Sequence, residues 1–548
     1  MKKGSNVFIG ILITIFMAAV ITGSMVLGYR FLRAINPAAA ERIDDVARDA
    51  RDKTEETLGI NLTPPDPEVV PEVVPENVPE EEVYPERENG IEIVKEPEKK
   101  HYAGSRLYES DEYIYNDAGE VLTNFHLDYG LGIDVLFDRD RKYGVILSNN
   151  NCFLIEADLS YKQIASNVSY AGINFDGTTI YYSSSSAGLW LHDIETGEET
   201  LISDACYKAC LSPDGKTIIY NDYAEKNRKV VIIGGIGKEG TVIDVGKNGL
   251  ITPVAVSDDG NTAYYEIYSG NDNGLYCYSN GEVKRLSADS VPYRYLNRSC
   301  EKIVYTDNKK VWYYAPGLED PVELVSMDST CDIRIVDAEA DYTEEYFHCA
   351  IVDVDNLADA VIINSGRESY CLSEDCTLAV QLRDNGYTEQ FAGTADGLAC
   401  VYKDDDCVYK SVYEHGEVKK TVVREQISSL DDITFADGVS EGFLKKYEYN
   451  AGDAYFKLYY FKEGEEDVFL ADCGKDNFNG VLWDKVFKKC YFTCNGDLIS
   501  INKDGSLKTT IAADVDYIMD YTYSDGNIGY SDTNGVNYVV INNNVFER

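Results

Sequence analysis

The sequence predicts an all-β fold, a single β-propeller, on three observations. Residues 174–182 (NFDGTTIYY), 212–220 (SPDGKTIIY) and 257–265 (SDDGNTAYY) repeat one pattern: a polar turn with Asp-Gly at a fixed offset, then a run of strand formers. The pairs Asp176-Gly177, Asp214-Gly215 and Asp259-Gly260 are spaced by 38 and then 45 residues. Self-similarity near 40 residues, carried by strands, marks a propeller blade. Composition agrees, with 43 Tyr against 5 Met, since aromatic and β-branched side chains suit strands.

The chain before the repeats is organised differently. Residues 1–6 read as a short cytoplasmic tail and 7–29 as a transmembrane helix. Val7 to Leu27 carries no charge, enough length to cross a hydrocarbon core of roughly 30 Å. The run exceeds the apolar core of a cleaved signal peptide, about 7–15 residues. The Ala-x-Ala site at Ala38 and Ala40 lies beyond Arg30 and Arg33, so the segment reads as an uncleaved anchor. Lys2 and Lys3 balance Arg30 and Arg33, and charge alone does not orient it. A long C-terminal domain translocates readily. The expectation is a single-pass protein of the cell membrane with its propeller outside the cytoplasm.

Residues 30–60 follow as a juxtamembrane helix, opened by Asn36 as cap and Pro37 in the first turn. Residues 61–104 are Pro- and Glu-rich, with Pro71, Pro75 and Pro79 at four-residue spacing. Pro removes backbone donors and like charges repel, so this linker reads as an extended, disordered spacer.

The propeller is assigned to 105–548. Weaker copies of the blade pattern occur at 297–305, 373–381, 484–492 and 524–532, with hairpin turns near Gly197, Gly281, Asn495-Gly496 and Asp504-Gly505. Division by the period allows ten units. The irregular stretch 331–400 lowers the expectation to seven to nine blades, with eight the best count. The segment 517–548 looks short for a blade, and strands within 106–125 are expected to complete it and close the ring.

The turn and strand of SPDGKTIIY (212–220) resemble the repeat of TolB-type, WD-repeat-like propellers. The match is good at 174–182 and 257–265 and vague elsewhere. The resemblance implies a propeller and a protein-interaction role in the cell envelope, and it implies no catalytic residues. The Trp-Asp ending of WD repeats is absent, as is the helical domain that precedes the propeller in TolB.

Searches for chemistry return little. The net charge of −45 argues against nucleic acid, whose phosphates need Lys and Arg. No G-x-S-x-G elbow occurs, so a serine hydrolase has no nucleophile. Ser212-x-Asp214-Gly215-x-Thr217 approaches a sialidase box with its Gly one position early. GGIGKE (234–239) lacks the spacing and the Ser or Thr of a phosphate loop, so no cofactor is expected. His101, His126, His192, His348 and His415 have no paired spacing for zinc. Asp353, Asp355 and Asp359, with Asn356, crowd oxygen atoms as a weak calcium candidate, but lack the central Gly and distal Glu of a known loop. All 14 Cys lie in the propeller. They read as small buried hydrophobes, and only Cys371 and Cys376 are placed to bridge across a hairpin.

The leading functional expectation is a membrane-anchored, extracytoplasmic propeller that binds a protein or a cell-wall glycan as an envelope scaffold. The alternative is a propeller enzyme, a glycan lyase or hydrolase using acidic residues at the channel mouth. Carboxylates and Arg gathered at the channel favour the enzyme; small neutral residues there favour binding.

Overall fold

The second strand of a blade is sandwiched between two neighbouring blades, so it reads as a nearly continuous apolar run. Thr262–Tyr268 (TAYYEIY) and Ile303–Thr306 (IVYT) are such strands, buried on both faces. Fourth strands such as Glu417–Arg424 (EVKKTVVR) form the exposed rim. First strands of successive blades lie side by side along the channel.

The computed structural model describes residues from Gly104 to Glu547, apart from short interior stretches of which 337–350 is the longest. The expected tail, membrane helix and juxtamembrane helix, and nearly all of the expected linker, lie outside the described residues. Among those described, no helix is long and apolar enough to cross a membrane.

Ten blades, not eight, make the propeller. They occupy 134–166, 170–203, 206–244, 250–285, 294–326, 332–383, 387–424, 432–474, 481–512 and 515–547, each an antiparallel sheet. Two features hid the extra blades. In blade 6, an excursion separates Asp332–Ile335 from Val361–Ser365. It lays Ile351–Val352 parallel to the first strand of blade 5, Arg294–Asn297. In blades 1 and 5, the turn marker carries no Gly, as shown below.

Closure also differs from expectation. Residues 515–547 form a complete four-stranded blade. Strands Leu107–Glu109, Ile114–Asn116 and Val121–Leu122 instead build their own three-stranded sheet. One side of it packs Leu107 and Ile114 against Phe137 and Ile146 of blade 1. The other packs Tyr115 against Val539 and Ile541 of blade 10. Every junction around the ring has its own apolar cluster, so no sheet face is left without a neighbour.

The hairpin turns stand where expected. Asn280-Gly281 and Asn495-Gly496 have φ of 50° and 94°, and 54° and 84°, the pair of positive angles that a tight hairpin needs. The copy at 373–381 is displaced: it joins the third and fourth strands of blade 6, not the first and second.

Candidate functional site: the turns at the channel mouth

One turn design joins the first and second strands of blades 1 to 5. Its first residue accepts a hydrogen bond from the amide five residues on. Tyr143 donates to Asp138 at 2.8 Å, Thr179 to Asn174 at 2.7 Å and Thr217 to Ser212 at 2.9 Å. Thr262 donates to Ser257 at 3.0 Å and Lys302 to Asn297 at 2.7 Å. Its fourth residue has positive φ: Arg141 56°, Gly177 68°, Gly215 73°, Gly260 71° and Cys300 58°. Asp138-Arg-Asp-Arg141 and Asn297-Arg-Ser-Cys300 are therefore copies of the motif. The Asp-Gly search passed over the first and left the second a weak echo. Asn, Asp and Ser all supply the acceptor oxygen.

The turns also lace to one another. Arg139 N donates to Phe175 O at 2.9 Å and Asp176 N to Pro213 O at 3.0 Å. Asp214 N donates to Asp258 Oδ1 at 2.9 Å. These bonds pass from blade 1 to blade 4 in sequence.

The three sequence-predicted aspartates do different work. Ser212 and Ser257 carry hydroxyl protons that need an acceptor, and Asp214 and Asp259 provide it at 2.8 and 2.7 Å. Amides from Lys216 and Asn261 bind the same carboxylates at 3.0 and 2.9 Å. The Asn261 amide bond, first among several, holds Asp259 below the usual carboxylate range. For Asp214, burial opposes and hydrogen bonds from Lys216 and Ser212 prevail in the same direction. In blade 2 the first residue is Asn174. Its carboxamide receives the two amides of Thr178 and Thr179, and its Nδ2 donates to Pro213 O at 2.7 Å. Asp176 has no hydroxyl to accept from. Burial raises its carboxyl, and it turns to Arg298 Nη2 at 2.7 Å.

Arg298 gathers the mouth. From blade 5 it reaches Asp176 in blade 2 and Asp258 in blade 4, the latter at 3.2 Å, with its guanidinium 5.6 Å from the Phe175 ring centroid. Arg139 of blade 1 pairs with Asp353 on the excursion beside blade 5. The second turn residues are thus Arg139, Phe175, Pro213, Asp258 and Arg298, and four of these five meet a neighbouring turn or the excursion through their side chains. Asp138 lies beneath, buried, its carboxyl pushed up to about 6.

Of the calcium candidates, Asp353 is engaged by Arg139, Asp355 lends its carbonyl to Asn297 Nδ2 at 3.1 Å, and Asp359 sits in the short 3-10 turn Leu357–Asp359. Among the described residues no group of three or more His, Cys, Asp or Glu is arranged to hold a metal ion. Cys371 and Cys376 do not face each other. Cys371 packs toward blade 7 and Cys376 toward blade 5, on opposite faces of blade 6. None of the thirteen described Cys is in a disulfide, and all but Cys407 are buried.

No protein-family profile and no curated protein sequence matches the chain. Solved structures do. The chain is similar to a protein assigned as TolB from Agrobacterium tumefaciens, at 18% identity over 35% of this chain and 81% of that one, TM-score 0.26. It is similar to TolB from Acinetobacter baumannii, at 11% identity over 59% and 79%, TM-score 0.25. It is also similar to an oligogalacturonate lyase from Vibrio parahaemolyticus, at 12% identity over 54% and 93%, TM-score 0.30. The propeller assignment itself rests on the strand order.

Proposed function

We propose that this chain is a membrane-tethered binding scaffold whose propeller stands outside the cytoplasm and presents its turn face to a protein or cell-wall glycan of the envelope. The observation that carries the reading is the division of labour within the turns. Positions one and four hold the turn in all five blades, and position three does so through Asp214 and Asp259. Position two changes from blade to blade, as Arg139, Phe175, Pro213, Asp258 and Arg298, over one backbone design. A fixed frame with a variable side chain at the mouth is how a propeller presents a recognition surface. The apolar run 7–29 and the Pro/Glu linker supply the tether in this reading.

The test has two parts. Intact cells carrying the full chain with a C-terminal tag are treated with an external protease. The tagged propeller is shed if the domain is outside, and a tag protected until lysis overturns the placement. Cross-linking of the full chain in its membrane, followed by peptide mapping, then reads the partner face. Cross-links confined to surfaces remote from the five turns would overturn the assignment of that face.

A second reading, a glycan lyase or hydrolase, draws on the same place, because Arg and carboxylates do gather at the mouth. Against it, Arg139 is already paired with Asp353, and Arg298 with Asp176 and Asp258, so both guanidiniums already have carboxylate partners. Release of shortened or unsaturated sugars from acidic polysaccharide, lost in Arg298→Ala, would establish the enzyme in place of the scaffold.

A further inference from the structure

The junction between blades 8 and 9 holds two thiols in contact. Strand Val468–Gly474 is the outer strand of blade 8. Its register against Asp453–Lys462 jumps between Phe456 opposite Gly474 and Lys457 opposite Asp472. Cys473 is the extra residue. A bulge leaves one residue unpaired and re-aims its side chain, and here Cys473 enters the core between the two blades with no exposure. Cys494 enters the same core from blade 9, 5% exposed, as the last residue of Lys489–Cys494 before the Asn495-Gly496 turn. Its Sγ lies 3.7 Å from the carbonyl oxygen of Asp472, the neighbour of Cys473, and 3.8 Å from Asn495 Nδ2. The two thiols share one apolar cluster, and each perturbs the ionisation of the other.

The neighbouring Cys473, helped by the Lys508 ammonium, lowers the Cys494 thiol, while Cys494 and burial push Cys473 up. Elsewhere burial prevails and raises the thiol, as at Cys371, pushed up to about 12. A thiol whose ionisation is favoured, beside a second thiol, is the arrangement in which oxidation ends in a disulfide.

We propose that Cys494 and Cys473 are an oxidisable dithiol, converted by a hydroperoxide into a disulfide that ties blade 8 to blade 9. The Cys494 thiolate attacks one peroxide oxygen. The O–O bond breaks, a sulfenic acid forms on Cys494, and the other oxygen leaves and takes a proton as water or alcohol. Cys473 sulfur then attacks Cys494 sulfur, the S–O bond breaks, and hydroxide leaves with the Cys473 proton as water. Two thiols are oxidised by two electrons and one peroxide is reduced.

The experiment uses the full chain and dilute hydrogen peroxide, followed by alkylation under denaturing conditions and peptide mapping by mass spectrometry. The expected product is a cross-linked peptide joining Cys473 to Cys494, with two thiols fewer alkylated and both restored by dithiothreitol. Its rate of formation should rise with pH as the attacking thiol ionises. In Cys473→Ala no cross-link should form, and Cys494, without the thiol that favours its ionisation, should react with peroxide more slowly than in the parent chain. If that variant does not fold, the map of the unmodified chain decides alone. Full alkylation of both residues after peroxide, or Cys494 linked to a different cysteine, overturns the proposal.

Discussion

Blades 1 to 5 and blades 7 to 10 solve the same problem, joining neighbours into a ring, in two ways. The first five use polar turns that lace to one another, with Arg139 and Arg298 as braces across the mouth. The later blades largely drop that turn and rely on the apolar packing that both halves share, buried aromatic rings included. Strands Glu441–Asn450 and Asp453–Lys462 of blade 8 are ten residues each, twice the length of many others. Phe443 is fully buried there, its ring 5.5 Å from Trp483 of blade 9 and 5.7 Å from Tyr460. The contrast teaches that the repeat motif is one local solution and not the cause of the fold. Burial of apolar faces between sheets is common to both halves.

The comparison breaks first at Phe443. Phe443→Ala should destabilise by about 3–5 kcal/mol, since a large ring is lost from a site with no room to collapse. Denaturant titration reads it, and a loss smaller than that of any turn substitution would refute the reliance of the later blades on apolar packing.

Asp138 comes next. Burial pushes its carboxyl up to about 6, above its value of about 4 in an unfolded chain. The folded state therefore holds the proton more tightly. Stability falls as pH rises from about 4 to about 6, and the loss is complete above that window. Asn serves at this position in blades 2 and 5, so Asp138→Asn should stabilise by roughly 1–3 kcal/mol at pH 7 and change little at pH 4. Melting curves at the two pH values check this, and an equal effect at both would remove the buried charge as its cause.

Ser212 tests the turn itself. Ser212→Ala removes the acceptor for Thr217 N and the donor to Asp214, and should cost about 1–2 kcal/mol. Ser212→Asn should retain most of the stability, because Asn174 and Asn297 hold the same turn. Equal losses in both variants would show that the hydroxyl does something other than accept the amide.

The smallest effect belongs to Arg298. Its side chain is 25% exposed and its partners 36% and 41%, so Arg298→Ala should cost below about 1 kcal/mol. Added salt should narrow the difference from the parent chain. A loss of several kcal/mol would mean the brace, and not the apolar junctions, holds the first five blades.

Much of this was legible in the chain. The strand content, the blade period and the hairpin turns followed from local chemistry, because Asp-Gly and Asn-Gly select positive φ and Tyr, Ile and Val select strands. The blade count was not, since the excursion within blade 6 breaks the period, and Arg141 and Cys300 take positive φ without being Gly, which leaves the one turn unmarked and the other a weak echo. The first-position rule (a side-chain oxygen accepting the amide five residues on) links Asp138, Asn174, Ser212, Ser257 and Asn297. It is visible only after the turns are superposed, because three residue types satisfy it.

What the sequence by itself determined is the class of fold and the period of its strands. Those depend on neighbours within a few residues. The tertiary structure alone decided that Asp176 differs from Asp214 and Asp259, that strands 107–122 stand as a separate sheet, and that Cys473 meets Cys494 instead of Cys371 meeting Cys376. Each of these turns on which surface comes to rest against another after the ring closes, and a β-bulge or an unused carboxylate acquires its role only from the partner that closure brings.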